Sequence, residues 1–251
     1  GGRVPLPAGA RSGEALIRVR SLSFSYRRHH PVLRDISFDL DQGGFILLAG
    51  ANGSGKSTLL SILAGIHPPG QGGVLLPGEE FPASQRALRL QEADLQILGS
   101  TVAEDLMLGL EQNRDSTELC RETASRLGLL EWWDTPVHAL SWGQKRKLCL
   151  AATLLRQPAV LLFDEPFSGL DYPSATELRR ILVHNHTQGM TQVVAVHDLE
   201  PVLDLADRLL VLSRGTLALE GPPAKVLDHV EGHSVRPPCS WRLKRSLQGW
   251  G

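Results

Sequence analysis

From Leu22 the chain alternates apolar and small polar residues, with Leu22, Phe24 and Tyr26 on one side and Ser21, Ser23 and Ser25 on the other. A period of two is that of a strand with one buried face. Val32 to Leu40 predicts a second strand, and Asp41-Gln42-Gly43-Gly44 a turn. Phe45-Ile46-Leu47-Leu48-Ala49 is apolar at every position, the pattern of a strand covered on both faces. A glycine-rich turn follows, and Lys56 to Ala64 predicts a helix. Gln71-Gly72-Gly73 breaks the chain before further short strands. Thr101, with Glu104 three residues on, has the form of a capping box and opens another helix. Residues from about 92 to 155 are mainly helical in pattern. Val160 to Asp164 and Gln192 to Val196 return to strand, and between them Pro173 sits as the first residue of a helix.

Strands alternating with helices predict an α/β fold with a mainly parallel sheet. The early hairpin-like strands add an antiparallel β layer, and the segment near 92–155 forms a helical subdomain. The domain is expected over residues 14–231. Residues 1–13, rich in Gly, Pro, Arg and Ala, read as disordered, and the tail 232–251 as a loose end.

Composition narrows the function classes. Hydrophobic residues make up 42% of 251, enough for a full core, and the formal net charge of −1 gives no bulk attraction to nucleic acid. No apolar run approaches the roughly 18 residues of a membrane span. The chain starts without Met and without the apolar run of a secretory signal. Cys120, Cys149 and Cys239 are odd in number and scattered, which reads as buried free thiols rather than a disulfide framework or a zinc site. His29-His30 and His184-Asn185-His186 lack a carboxylate or Cys at ligand spacing and read as surface histidines.

The strongest chemical signal is Gly50-Ala51-Asn52-Gly53-Ser54-Gly55-Lys56-Ser57-Thr58, which fits G-x-x-x-x-G-K-[ST] between a predicted strand and a predicted helix. Glycines let backbone N–H groups wrap an anion, and the following helix presents its unpaired N–H groups and positive dipole end. Lys56 supplies a point charge to the β- and γ-phosphates of a nucleotide, and Ser57 an oxygen to Mg²⁺.

Four later segments fit around that loop. Val160-Leu161-Leu162-Phe163-Asp164-Glu165 is an apolar strand ending in two carboxylates. Asp164 can hold Mg²⁺ through water, and Glu165 can polarise an attacking water. Ser141 and Gln144, in Leu140-Ser141-Trp142-Gly143-Gln144, form an S-x-x-Q capping box that either simply starts a helix or also offers an anion site. Ser168-Gly169-Leu170-Asp171 follows the carboxylates. His197 ends the strand Val193 to Val196, where an imidazole can reach a γ-phosphate. Gln91 is a possible ligand of Mg²⁺ or water.

Taken in order, these motifs resemble the ABC ATPase family over about residues 15 to 230. The resemblance implies a P-loop ATPase fold with ATP and Mg²⁺ as ligands. It makes Tyr26 the residue stacked on adenine, though a strand aromatic can equally be core. It makes Gln91 the Q-loop residue, Leu140 to Gln144 the signature, Ser168 to Asp171 the D-loop and His197 the switch histidine. It also implies a head-to-tail dimer, in which Ser141, Gly143, Gln144 and Asp171 act in trans on ATP held by the other subunit. Gln91-Glu92-Ala93-Asp94-Leu95-Gln96-Ile97, Thr101-Val102-Ala103-Glu104-Asp105 and Ser141-Trp142-Gly143-Gln144-Lys145-Arg146 are similar to energy-coupling-factor importers. That subtype implies uptake of cobalt, nickel or a vitamin such as biotin. The partners would be a second ATPase subunit, a transmembrane coupling protein and a cargo-binding membrane protein, with the chain peripheral on the cytoplasmic face. Two other readings are a soluble ABC-type ATPase and a nucleotide-gated interaction module with little turnover. Retention of Glu165 and His197 counts against the second.

Trp142 departs from the family, which usually has Gly there. Either its ring points out and is harmless, the preferred reading, or it crowds the nucleotide interface and weakens activation in trans. Trp132-Trp133 are read as packing in the helical subdomain in preference to lining a docking groove. Arg236, Arg242, Lys244 and Arg245 are read as solvated rather than lipid-binding.

Overall fold

Two long strands, β1 (Ala15–Arg27) and β2 (His30–Asp41), pair antiparallel, and β4 (Gln71–Leu75) adds to the other edge of β1. The computed structural model describes residues 15–28, 30–75, 86–89, 96–110, 114–156 and 158–247. The first thirteen residues, Gln91 and His29 therefore lie outside the described residues. The Gln71-Gly72-Gly73 segment is itself part of a strand, where the sequence reads a break. Glycine is needed there because a Cβ on Gly72 would sit 2.2 Å from the Ser21 carbonyl oxygen, so β4 can approach β1 only without a side chain.

β1 begins seven residues before the alternation that predicts it. Ile17 and Val19 are buried, and so is Leu22, which is out of phase with them. A register shift falls between Val19 and Leu22, where Ser21 has φ +45°. A bulge inserts one residue and flips the pattern. The same happens in β2, where Asp35 at φ +48° separates buried Leu33 from buried Ile36, Phe38 and Leu40.

The second sheet has the strand order β5-β6-β7-β3-β8-β9, from β5 (Arg86–Arg89), β6 (Val160–Asp164), β7 (Thr191–Val196), β3 (Phe45–Ala49), β8 (Arg208–Ser213) and β9 (Thr216–Gly221). β3 runs parallel to β7 and β8, β6 runs parallel to β7, and β9 returns antiparallel to β8. β3, β6 and β7 are apolar and buried along nearly their whole length, as strands covered on both faces must be. The core joins side chains of β1, β2, β3, β6, β7 and β8 with those of helix α1 (Lys56–Leu63). Helix α5 (Tyr172–Thr187) starts at an Asp171 N-cap with Pro173 as its second residue, so the helix begins one residue earlier than the sequence places it.

Apart from Arg89 at the end of β5, these strands belong to one of two compact units, Gly1–Leu88 with Ala159–Gly251; the other is Arg89–Pro158. The second unit carries α2 (Val102–Met107), α3 (Arg114–Arg126) and α4 (Trp142–Leu155). Thr101 caps α2, its hydroxyl accepting from the Glu104 N–H, but the Glu104 carboxylate accepts from the Ser100 N–H instead of closing the box on Thr101. Val102, Leu106, Cys120, Ala124, Leu148 and Trp133 are buried in this unit, while Trp132 is half-buried.

The sequence leaves residues from Gly232 as a loose end. After the short helix α6 (Pro223–Val226), the structure instead forms α7 (Cys239–Lys244) and buries Val235 and Trp241. The Trp241 Nε1–H donates to Asp228 at 3.0 Å. The apolar area of one Trp and one Val outweighs what few periodic positions the segment offers. Cys120 and Cys149 are buried free thiols as read, but Cys239 is exposed on this helix.

Candidate functional site

β3 ends at Ala49, and the chain turns through Gly50 to Gly55 into α1. Gly55 is the N-cap, at φ +108°, and no side chain caps the helix. The first N–H groups of α1 are thus left for an outside acceptor, and the helix dipole favours an anion there. A Cβ on Gly55 would lie 2.6 Å from Leu33 Cδ2, and one on Gly50 2.5 Å from the Leu212 carbonyl oxygen. The loop is tied down at Ser54, whose N–H donates to the Ala51 carbonyl at 3.1 Å and whose carbonyl accepts from Gly215 N–H at 3.1 Å.

Lys56 is 6% exposed. Its ammonium donates to the Gly50 carbonyl at 2.8 Å and lies 3.3 Å from Glu165 Oε1. The register of β6 on β7 sets Asp164 opposite Ala195, which brings Glu165 level with the end of β7. Glu165 has φ +47°, a left-handed conformation that costs a non-glycine residue about 1–3 kcal/mol. Its N–H donates to the Ala195 carbonyl at 2.9 Å, which fixes the turn. The other carboxylate oxygen meets His197 Nδ1 at 2.7 Å and the His197 backbone N–H at 3.3 Å. A carboxylate only accepts, so Nδ1 carries the proton and Nε2 is the free ring position. One carboxylate therefore joins the phosphate-loop lysine to the histidine at the end of β7.

Asp164 Oδ1 is buried with no hydrogen-bond partner. Burial pushes the Asp164 carboxyl up; a hydrogen bond from Ser57 pulls it down, the Glu165 charge raises it and the Lys56 charge lowers it. An orphaned carboxylate oxygen beside the Ser57 hydroxyl is the oxygen-rich donor set that a hard divalent cation takes, so these residues fit Mg²⁺. Among the described residues no three His, Cys, Asp or Glu cluster as a metal site.

Tyr26 is 58% exposed, its hydroxyl 3.3 Å from Thr58 Oγ1. Its ring meets Phe24 edge-on at 4.9 Å and His67 at 5.5 Å. His67 also stacks on Phe24 at 5.7 Å, a support for the exposed ring that no local sequence pattern announces. A cavity of about 300 Å³ opens beside Glu165 and His197 and is lined further by Leu170, Asp198, Glu200 and Pro201. Asp198, Glu200 and Pro201 follow His197 with no motif of their own. Asp171 faces its own helix, its carboxylate accepting from the Ser174 N–H at 3.0 Å; that bond holds the carboxyl below its usual range.

The described residues thus bring Lys56, Ser57, Asp164, Glu165 and His197 together. Ser141, Gly143 and Gln144 belong to the helical unit, at the start of α4. The Ser141 N–H donates to Gln144 Oε1 at 2.7 Å and the Gln144 N–H to Ser141 Oγ at 3.3 Å, closing both halves of the capping box. A Cβ on Gly143 would meet nothing within 4 Å. Trp142 lies in the first turn of α4, where a helical backbone needs no glycine. Its side chain is 44% exposed, with the buried Arg146 guanidinium 3.4 Å from the ring centroid.

The sequence model of the ABC transporter family matches residues 33–168. A Bacillus subtilis protein named for HMP/thiamine import, YkoD, is 35% identical over 241 residues, which cover 91% of this chain and 44% of that protein. The chain therefore spans less than half the length of that relative. The energy-coupling factor transporter ATP-binding protein EcfA of Methanothermobacter thermautotrophicus is 33% identical over 230 residues, covering 86% of this chain and 74% of that protein. The structure of cbiO1 from Clostridium perfringens, part of the ABC transporter complex cbiONQ, is 27% identical and superposes with a TM-score of 0.77 over 92% of this chain and 96% of that one. The motifs, the fold and these relatives agree, and the chain belongs to the ABC transporter ATPases, among the ATP-binding proteins of the energy-coupling-factor type.

Proposed function

We propose that the chain hydrolyses ATP to power an energy-coupling-factor importer of a micronutrient, either cobalt or nickel ion or a vitamin such as biotin. The observation that carries the chemistry is the Glu165 carboxylate held between Lys56 and His197 at the mouth of the phosphate loop. Phosphate oxygens offer the Lys56 ammonium a stronger, charged acceptor than the carbonyl it now holds. Withdrawal of Lys56 from Glu165 frees that carboxylate to accept a proton from the attacking water, while His197 keeps it oriented. Asp164 and Ser57, with Gln91, would hold Mg²⁺, which supplies charge neutralisation across the transferring phosphoryl group.

The site is half of a composite. The open space over Gly143 and the uncovered start of α4 fit the approach of a phosphate held by a second ATPase subunit. Ser141, Gly143 and Gln144 act there in trans, Asp171 acts in trans from the start of α5, and Tyr26 stacks on the adenine of its own subunit. Closure on ATP and opening after hydrolysis then drive a transmembrane coupling protein, with a third, cargo-binding membrane protein, from the cytoplasmic face. No described helix is long and apolar enough to cross a membrane, which suits a peripheral subunit. The relatives' names, one for HMP/thiamine import and one for a multi-component transporter complex, support this reading.

Steady-state phosphate release from the chain, alone and with its membrane partners, tests the proposal. Wild type turns over, whereas Lys56→Ala loses ATP affinity and turnover together. A wild type without turnover, or a Lys56→Ala variant that matches it, overturns the reading.

A further inference from the structure

The segment after the switch histidine is held by the chain's own C-terminal region. Asp198 pairs with Arg236 in a parallel bridge. Two residues on, Glu200 Oε2 accepts from the Cys239 backbone N–H at 2.8 Å. The C-terminal region is itself anchored: Val235 and Trp241 are 2% and 7% exposed, the Val235 N–H donates to the Val230 carbonyl at 3.2 Å, and Trp241 and Arg245 both donate to Asp228. On its other flank the segment meets Arg179, which donates to the Pro201 carbonyl at 3.0 Å and to Asp204. Residues 198 to 204 are thus pinned from two sides, one step along the chain from the imidazole that holds Glu165.

We infer that residues Val235 to Lys244 form a strap that sets the switch histidine on Glu165, with Glu200 and the Cys239 N–H as positioning groups. The inference rests on the functional reading above. A displacement of about a few tenths of an ångström at Asp198 passes directly to His197, whose 2.7 Å contact with Glu165 tolerates little change. The strap also fixes one wall of the cavity beside Glu165, since Asp198 and Glu200 both line it. Neither group touches the phosphate loop, so ATP affinity does not depend on the strap.

One substitution deletes the central bond and little else. Cys239 is the first residue of α7 and follows Pro238 at φ −57°, ψ 155°. A proline is accepted at a helix's first position, and the residue before it is already extended as proline requires. Cys239→Pro removes the N–H while Cys239→Ala keeps it and removes only the thiol. Cys239→Pro and Glu200→Ala each lower kcat about tenfold with KM for ATP unchanged, the size of one hydrogen bond to a charged group. The double variant is no worse than either single one. Glu200→Gln, which still accepts the N–H, recovers most of the rate, and Cys239→Ala behaves as wild type.

NMR of the His197 imidazole in the nucleotide-free chain reads the same coupling without turnover. The ring signals move in Cys239→Pro and Glu200→Ala and stay in place in Cys239→Ala. A purely structural tail would lower Tm while leaving kcat and the imidazole signals unchanged at assay temperature. That result overturns the strap, as does a Glu200→Gln variant as impaired as Glu200→Ala. A wild type that fails to hydrolyse ATP overturns the functional reading instead, and the imidazole signals then decide the strap by themselves.

Discussion

Trp142→Gly separates what this unusual residue does for the fold from what it does for catalysis. In the structure the Trp142 ring stacks on the buried Arg146 guanidinium at 3.4 Å. A partly desolvated cation–π pair contributes about 1–2 kcal/mol. Replacing Trp by Gly in a helix turn adds about 0.5 kcal/mol of lost propensity. The helical unit therefore loses about 2 kcal/mol, which lowers Tm by about 4–8 °C at 2–4 °C per kcal/mol. Catalysis should change far less. The capping box is closed by Ser141 and Gln144 without help from the ring, and the backbone at Trp142 is helical already. Turnover in the assembled transporter changes by less than about tenfold, or ~1.4 kcal/mol in barrier. Thermal unfolding and phosphate release on the same preparations measure both, with Trp142→Tyr, which keeps a π face, retaining most of the stability. A hundredfold rise in turnover on Trp142→Gly would refute the reasoning and make the ring a brake on the composite site. An unchanged Tm would refute the stacking argument.

Two predictions concern pH. Burial raises the Asp164 carboxyl, and only the ionised form ligates a cation, so the Mg²⁺ concentration for half-maximal turnover rises as pH falls through that raised range; Asp164→Asn needs more Mg²⁺ throughout and loses the dependence. By the same shift the cation-free fold holds that proton more tightly than the unfolded chain, so Asp164 costs stability as pH rises from the unfolded to the folded value. Asp171 has the opposite sign: its carboxyl is lowered by capping α5, so its stabilisation is complete above the unfolded value and is lost as pH falls through the folded one. Thermal melts of Asp171→Ala should lie below wild type at neutral pH and converge with it on acidification.

The strands buried on both faces, β3, β6 and β7, and the phosphate loop between β3 and α1 are legible in sequence because each depends on neighbours along the chain. The bulges at Ser21 and Asp35 are not, since they flip the phase of the very alternation that reveals a strand; the sequence therefore shows β1 only from Leu22 onward. Glu165 and His197 are legible as residues, but their shared contact needs the parallel register of β6 on β7, a long-range fact. The C-terminal region is the largest difference. Its order comes from Trp241 reaching Asp228 and from backbone bonds to Asp198 and Glu200, partners that leave no periodicity in the segment itself. The same holds for His67 beneath Tyr26. Trp142 stands out in sequence as a departure from glycine, and only the structure shows that its backbone is helical and that Arg146 lies beneath the ring.

Glu165→Gln tests the central claim most directly, because an amide preserves the shape of the group and removes its capacity to take a proton. The measurement is the oligomeric state, by light scattering after size-exclusion chromatography, of wild type and variant with the second ATPase subunit and excess MgATP. The account predicts that Glu165→Gln stays as a dimer with ATP bound, while wild type returns to separated subunits as ATP is consumed. Equal behaviour of the two proteins would contradict it, and with it the role of hydrolysis at Glu165 as the step that opens the composite site.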